Sequence, residues 1–139
     1  MQDTTFVVDI DVSNTGRIYV LESGTPKIEV YDLDGQFQFM FGSEGSADGQ
    51  IGRCLSSCGI GGSFARGLGI DDDGQVWLSD TVNHRIQGFD ADGQHFVSFG
   101  SEGLGDGQLR APTDVMVNRA GEVLVADQFN RRVVVYDQS

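Results

Sequence analysis

Short apolar runs separated by glycine-ended polar turns recur along the whole chain, in an order that repeats three times. Each repeat opens on a brief apolar strand: Ile10-Asp11-Val12, Leu68-Gly69-Ile70 or Val115-Met116-Val117. A polar turn closed by glycine follows, as Ser13-Asn14-Thr15-Gly16, Asp71-Asp72-Asp73-Gly74 or Asn118-Arg119-Ala120-Gly121. The second strand is apolar at consecutive positions, Ile18 to Leu21, Val76 to Leu78 and Val123 to Ala126, where a strand with one wet face would alternate. Both of its faces must be covered, which a stack of small sheets packed face to face achieves and a one-sided meander does not. The third strand, Lys27 to Tyr31, Arg85 to Phe89 or Arg132 to Tyr136, alternates more. An Asp-x-Asp-Gly turn then leads to a fourth strand at Phe37 to Phe41 and His95 to Phe99, as expected of hairpins whose glycine takes a positive φ. The third repeat stops at Tyr136-Asp137-Gln138-Ser139, before any fourth strand.

The repetition extends to the words themselves. Tyr31 to Gln50 and Phe89 to Gln108 share 12 of 20 positions, and the mismatches fall on strand residues or small loop residues. The turn glycines Gly16, Gly74 and Gly121 are spaced 58 and 47 residues apart, near the length of a propeller blade once an insertion of 11 is allowed for. The predicted fold is all-β: β-propeller blades of four antiparallel strands, about three per chain. They run at about 6–50, 66–108 and, incomplete, 111–139, with a cysteine-containing insertion at about 51–65.

Two stretches carry a family resemblance. Gly74-Gln75-Val76-Trp77-Leu78-Ser79-Asp80-Thr81-Val82-Asn83-His84-Arg85-Ile86-Gln87-Gly88-Phe89 and Gly121-Glu122-Val123-Leu124-Val125-Ala126-Asp127-Gln128-Phe129-Asn130-Arg131-Arg132-Val133 resemble the Gly-x-Val-x-Val-x-Asp-x-x-Asn-x-Arg-Ile pattern of the NHL-repeat β-propellers. The first repeat departs from it, with Glu22 in place of the Asp, Thr25 in place of the Asn, Pro26 after it and Lys27 in place of the Arg. The resemblance implies a ring of about six blades, of which this chain supplies half. Two copies joined head to tail, or the remainder of a longer propeller, would complete it. It also implies a non-catalytic module that binds a protein, peptide or small molecule on its rim loops and in its central channel. The alternative is a subunit of a metal-dependent propeller enzyme, lyase- or hydrolase-like, whose site forms only in the closed ring.

Charge narrows the partners. The chain has 21 acidic and 9 basic residues, a net charge of −12, with the acids dispersed among the turns. Nucleic-acid binding draws most of its affinity from basic side chains on phosphates, so no nucleic-acid partner is expected. No apolar run approaches the roughly 18 residues needed to span a bilayer, and Met1 to Val8 lack the basic segment and apolar core of a secretory signal, so a soluble chain without a membrane partner is expected. The 20 glycines against 2 prolines mark tight turns and not a disordered chain.

Candidate chemistry is sparse. Asp80, Asn83 and Arg85, repeated as Asp127, Asn130 and Arg132, read as a hydrogen-bonded brace of the loop between the second and third strands. Residues that vary within those loops, namely Ser23, Thr25, Val82, His84, Phe129 and Arg131, are the better ligand candidates. The Asp-rich turns lack the remaining oxygens of a calcium site. Cys54 and Cys58 in the insertion suit a disulfide, two free thiols or half of a zinc set. His84 and His95 belong to no Ser/His/Asp signature, so no catalytic residue, metal site or cofactor is assigned.

Overall fold

The computed structural model describes residues 6–56 and 64–138. The first sheet consists of β1 (Val7–Val12), β2 (Ile18–Glu22), β3 (Lys27–Tyr31) and β4 (Phe37–Phe41), antiparallel in that order. A short parallel pair follows, β5 (Ser43–Glu44) with β6 (Gln50–Ile51). The second sheet repeats the first as β7 (Gly67–Ile70), β8 (Val76–Asp80), β9 (Arg85–Phe89) and β10 (His95–Phe99). The third sheet has three strands: β11 (Pro112–Val117), β12 (Val123–Asp127) and β13 (Arg132–Tyr136), with a single 3-10 turn at Gln128–Asn130.

The strand pattern follows from what covers each sheet. All five residues of β8 are buried because the middle sheet has a neighbour on both sides. β2 and β12 show alternating burial, since each belongs to an end sheet with one open face. Two cores result. Tyr19, Leu21, Ile28 and Val30 of the first sheet meet Leu68, Val76, Leu78 and Phe89 of the second. Trp77 and Ile86 on the opposite face of the second sheet meet Val115, Val123 and Val125 of the third.

The two joints are built differently along their innermost strands. Between the first and second sheets, Asp9 and Asp11 reach across so that their Oδ2 atoms accept the Leu68 and Ile70 N–H groups, each at 2.9 Å. Between the second and third sheets, glycine replaces the acids and the backbones close directly. A Cβ on Gly69 would stand 2.5 Å from the Val115 carbonyl oxygen, so no side chain fits there.

At the outer edge, the expected Asp-Gly hairpins form, with Gly35 and Gly93 at φ 77° and 86°. Arg17 and Tyr19 hold the second of these turns against the first sheet. Arg17 Nη1 and the Tyr19 hydroxyl both donate to the Ala91 carbonyl at 2.9 Å, and Arg17 also pairs with Asp92 at 2.8 Å. Burial of the Tyr19 phenol raises its pKa, with Arg17 working against that rise.

Candidate functional site

Each sheet has two rims. The turns β1–β2 and β3–β4 and their counterparts form one rim, while the loops between second and third strands share the other with the connections from sheet to sheet. The Asp/Asn/Arg sets stand on this second rim, and they reach across a joint. Asp80 is fully buried, and its Oδ1 accepts the Gly52 N–H at 2.8 Å, while Oδ2 accepts Asn83 Nδ2 at 2.9 Å and Arg85 Nε at 2.8 Å. Asn83 also donates to the Gly45 carbonyl at 2.9 Å. The Arg85 guanidinium spreads over the carbonyls of Ser46, Ala47 and Gln50 at 3.0, 2.9 and 2.8 Å. The gripped loop is the repeated Ser-Glu-Gly-x-x-Asp-Gly-Gln word that closes the preceding sheet.

The third sheet repeats the grip in register. Asp127, fully buried, accepts the Arg110 N–H at 2.6 Å, Asn130 Nδ2 at 2.8 Å and Arg132 Nε at 2.9 Å. Asn130 donates to Gly103, and Arg132 donates to the carbonyls of Leu104, Gly105 and Gln108. The expected brace of the loop is present in the bonds from Asp80 to Asn83 and Arg85 and from Asp127 to Asn130 and Arg132, and the same residues also clasp the preceding sheet.

Sequence reasoning passed over the parts that complete the clasp. Gln50 and Gln108 fold back so that their Oε1 atoms accept the Ala47 and Gly105 N–H groups at 3.0 and 2.9 Å, preforming each loop. Gln87, fully buried, accepts the Gly49 N–H at 2.9 Å and donates to the Gln50 carbonyl at 2.6 Å. The recurrence of Gln50 as Gln108, in step with the clasp residues, was the available signal.

In the first sheet no such clasp stands among the described residues. Lys27 Nζ lies between Glu29 Oε1 at 2.7 Å and Glu22 Oε2 at 3.5 Å, and the Tyr31 hydroxyl donates to Glu29 Oε2. Hydrogen bonds from Lys27 and then Tyr31 lower the Glu29 pKa, and the bond to Glu29 raises that of Lys27. Pro26 explains part of the departure. His84 and Arg131, at the corresponding place in the other two loops, take left-handed φ of 55° and 52°, which a proline ring forbids.

The six rim candidates fare unequally. Ser23 is buried, with its hydroxyl donating to the Phe6 carbonyl at 3.3 Å. His84 turns its ring inward, where Nδ1 accepts the Ala111 N–H at 3.0 Å, and Nε2 lies 4.0 Å from Glu102. Val82 and Phe129 are half-buried, and Thr25 and Arg131 are exposed. His95 packs edge-on against Phe89 and shares a 2.7 Å hydrogen bond with Ser98. Among the described residues no three His, Cys, Asp or Glu side chains stand together as a metal set would. Cys54 is buried, while Cys58 and the rest of residues 57–63 lie outside the described residues, as do Met1 to Thr5.

The NHL repeat family matches residues 63–89, which include the whole Asp80/Asn83/Arg85 set. A probable peptidyl-alpha-hydroxyglycine alpha-amidating lyase of Caenorhabditis elegans is 36% identical over 76 residues, 51% of this chain and 22% of its own length. The brain tumor protein of Drosophila melanogaster is 27% identical over 94% of this chain and 11% of its own length. A catalytically inactive virginiamycin B lyase of Staphylococcus aureus, solved with quinupristin, superposes on the whole chain with a TM-score of 0.67 at 16% identity. The WD40 β-propeller domain of Doa1 superposes on 96% of it with a TM-score of 0.65 at 12% identity. The chain spans 40% and 37% of these two structures, and far less of the curated relatives.

Proposed function

We propose that this chain, whose residues 63–89 match the NHL repeat and whose sheets have the β-propeller fold, serves as a non-catalytic binding module whose loop rim and central channel take a protein, peptide or small molecule. The observation that carries this reading is the division of labour on that rim. The clasp carboxylates Asp80 and Asp127 are buried, and Asn83, Arg85, Asn130 and Arg132 are bonded across the joint, whereas Thr25 and Arg131 stand exposed between them with half-buried Val82 and Phe129 alongside, four positions that differ from sheet to sheet. Rigid loops with variable side chains are the usual form of a recognition surface. Peptides selected by display on the full chain test it. Loss of their binding in Val82→Glu or Phe129→Glu supports the rim, whereas loss only in variants of the opposite rim, such as Asp72→Lys, overturns it.

The remaining sheets come from a second copy joined head to tail or from the rest of a longer propeller. Exposed apolar residues on both end sheets support this: Ile10 and Val12 on the first, Met116, Val133 and Val135 on the third. Such contacts are heterologous and close into a ring when the rotation per copy allows. Light scattering at micromolar concentration is expected to give the mass of a dimer, and a monomeric mass sinks the two-copy form.

A second reading, an enzyme segment, draws on the likeness to two lyases. Its metal donors would have to converge from separate chains or from parts of a longer chain. A chelator-dependent fall in melting temperature with bound metal in the purified protein favours it, and chelator indifference favours the binding module.

A further inference from the structure

Charge is unevenly divided between the two rims. The turn rim carries Asp32, Asp34, Asp90, Asp92 and the Asp71-Asp72-Asp73 run, whereas every basic residue except Arg17 and Arg119 lies on the loop rim, interspersed there with Glu44, Asp48, Glu102 and Asp106. Several of those bases are already engaged. Lys27 is held by Glu29 and Glu22, Arg53 lies 3.5 Å from Glu44, and Arg85 and Arg132 belong to the clasps. Arg110 and Arg131 differ. Both are exposed, and neither side chain makes an ion pair or hydrogen bond among the described residues.

These two arginines share one framework. The Arg110 N–H is held by Asp127, its carbonyl accepts the Phe129 N–H at 3.1 Å, and Arg131 lies between Asn130 and Arg132, both bonded to the same carboxylate. The αL backbone that turns His84 inward in the second sheet is also present at Arg131, yet this side chain stays exposed. A left-handed conformation in a residue other than glycine costs energy that a solvated arginine does not repay. Half-buried Phe129 adds an apolar surface in the same loop.

We propose that Arg110, Phe129 and Arg131 form the docking point for a short acidic segment of a protein partner, one that carries an apolar side chain beside its Asp or Glu residues. This inference rests on the rim reading above and names its partner class. Guanidinium forks suit carboxylates, and the clasp fixes the backbone from which both arginines project. Two arginines suffice for a short acidic segment. A nucleic acid draws on several phosphate contacts, more than two arginines supply.

Fluorescence anisotropy on the full chain tests this with three probes: a labelled peptide in which glutamates flank a leucine, the same peptide with glutamine for glutamate, and an oligothymidylate. Arg110→Ala with Arg131→Ala removes the site, and Arg119→Ala on the opposite rim is the control, with thermal melts to check the fold. The acidic peptide is expected to bind, to weaken with salt, and to lose about fivefold in affinity in the double variant but not in the control, the scale of two exposed ion pairs. If the glutamine peptide binds equally well and the double variant changes nothing, the inference falls and the rim reading stands. Binding of neither peptide overturns the inference, and the display selection on Val82 and Phe129 then judges the rim separately. Arginine-dependent binding of the oligothymidylate alone overturns it in favour of nucleic acid.

Discussion

The loops between second and third strands present one local problem solved in two ways. In the second and third sheets, an aspartate, an asparagine and an arginine turn outward from their own loop and grip the last loop of the sheet before. In the first sheet, Glu22, Thr25 and Lys27 occupy those places, and Lys27 is drawn instead to Glu29 on its own strand. The difference lies in reach and in backbone. Arg85 spans three carbonyls of the neighbouring loop with a planar fork, which a lysine ammonium cannot reproduce as a unit. Pro26 also denies the first loop the left-handed turn that the others use. The four residues that differ thus accompany a loop whose described bonds stay within its own sheet.

The comparison breaks most sharply at Asp80. Replacing it with alanine leaves the Arg85 guanidinium, Asn83 and the buried Gly52 N–H without their shared acceptor. Removing one member of a buried ion pair costs about 3–5 kcal/mol, so Asp80→Ala is expected to lower the urea midpoint steeply. Hydrogen exchange should quicken at residues 45–52 of the preceding sheet as well as at the mutated loop. Protection of 45–52 at wild-type levels in the folded variant would mean that the clasp does not join the sheets. Arg132→Ala should cost less, about 1–3 kcal/mol, because that side chain is one-third exposed and water can partly replace it. The same exchange experiment should then show loosening at residues 103–108 and none at 45–50.

Much of the fold was legible because strand patterning is local. β4 and β10 fall where the Asp-Gly turns and apolar alternation placed them, and the uninterrupted apolar run at Val76 to Leu78 correctly required cover on both faces. The clasp was legible only in part. Repetition identified Asp80, Asn83 and Arg85 as a set, but their partners are backbone carbonyls, which carry no residue identity for sequence to reveal. Ser23 and His84 illustrate the converse. Variation between repeats suggested display, yet one hydroxyl bonds the Phe6 carbonyl and one ring bonds the Ala111 N–H, because a polar side chain in a loop often satisfies nearby backbone. Asp9 and Asp11 escaped notice for a related reason: bracketing apolar residues on a strand, they look solvent-facing, although they bridge to the next sheet.

The smallest effect belongs to the first sheet, and pH can isolate it. Glu29 is held below its ordinary pKa by Lys27 and Tyr31, so its contribution is present above the unfolded value near about 4.3 and is lost as pH falls through the lower folded value. Lys27 is raised by Glu29, so its contribution is present below about 10.4 and is lost only as pH climbs through the higher folded value. The pair therefore stabilises the first sheet across the neutral range and fails on the acid side first. Lys27→Met removes the ammonium from both carboxylates while keeping the stem that lies on the sheet. Its stability at pH 7 should fall by about 1 kcal/mol, the scale of one hydrogen bond between charged groups that are mostly buried, and the gap to wild type should narrow as pH drops below 4, where protonation has already weakened the pair in the parent. Exchange at residues 45–52 should not change, because among the described residues the Lys27 ammonium pairs within the first sheet. A Lys27→Met variant that loosened that loop would place the lysine in the clasp system after all, and the contrast between the first sheet and the other two would disappear.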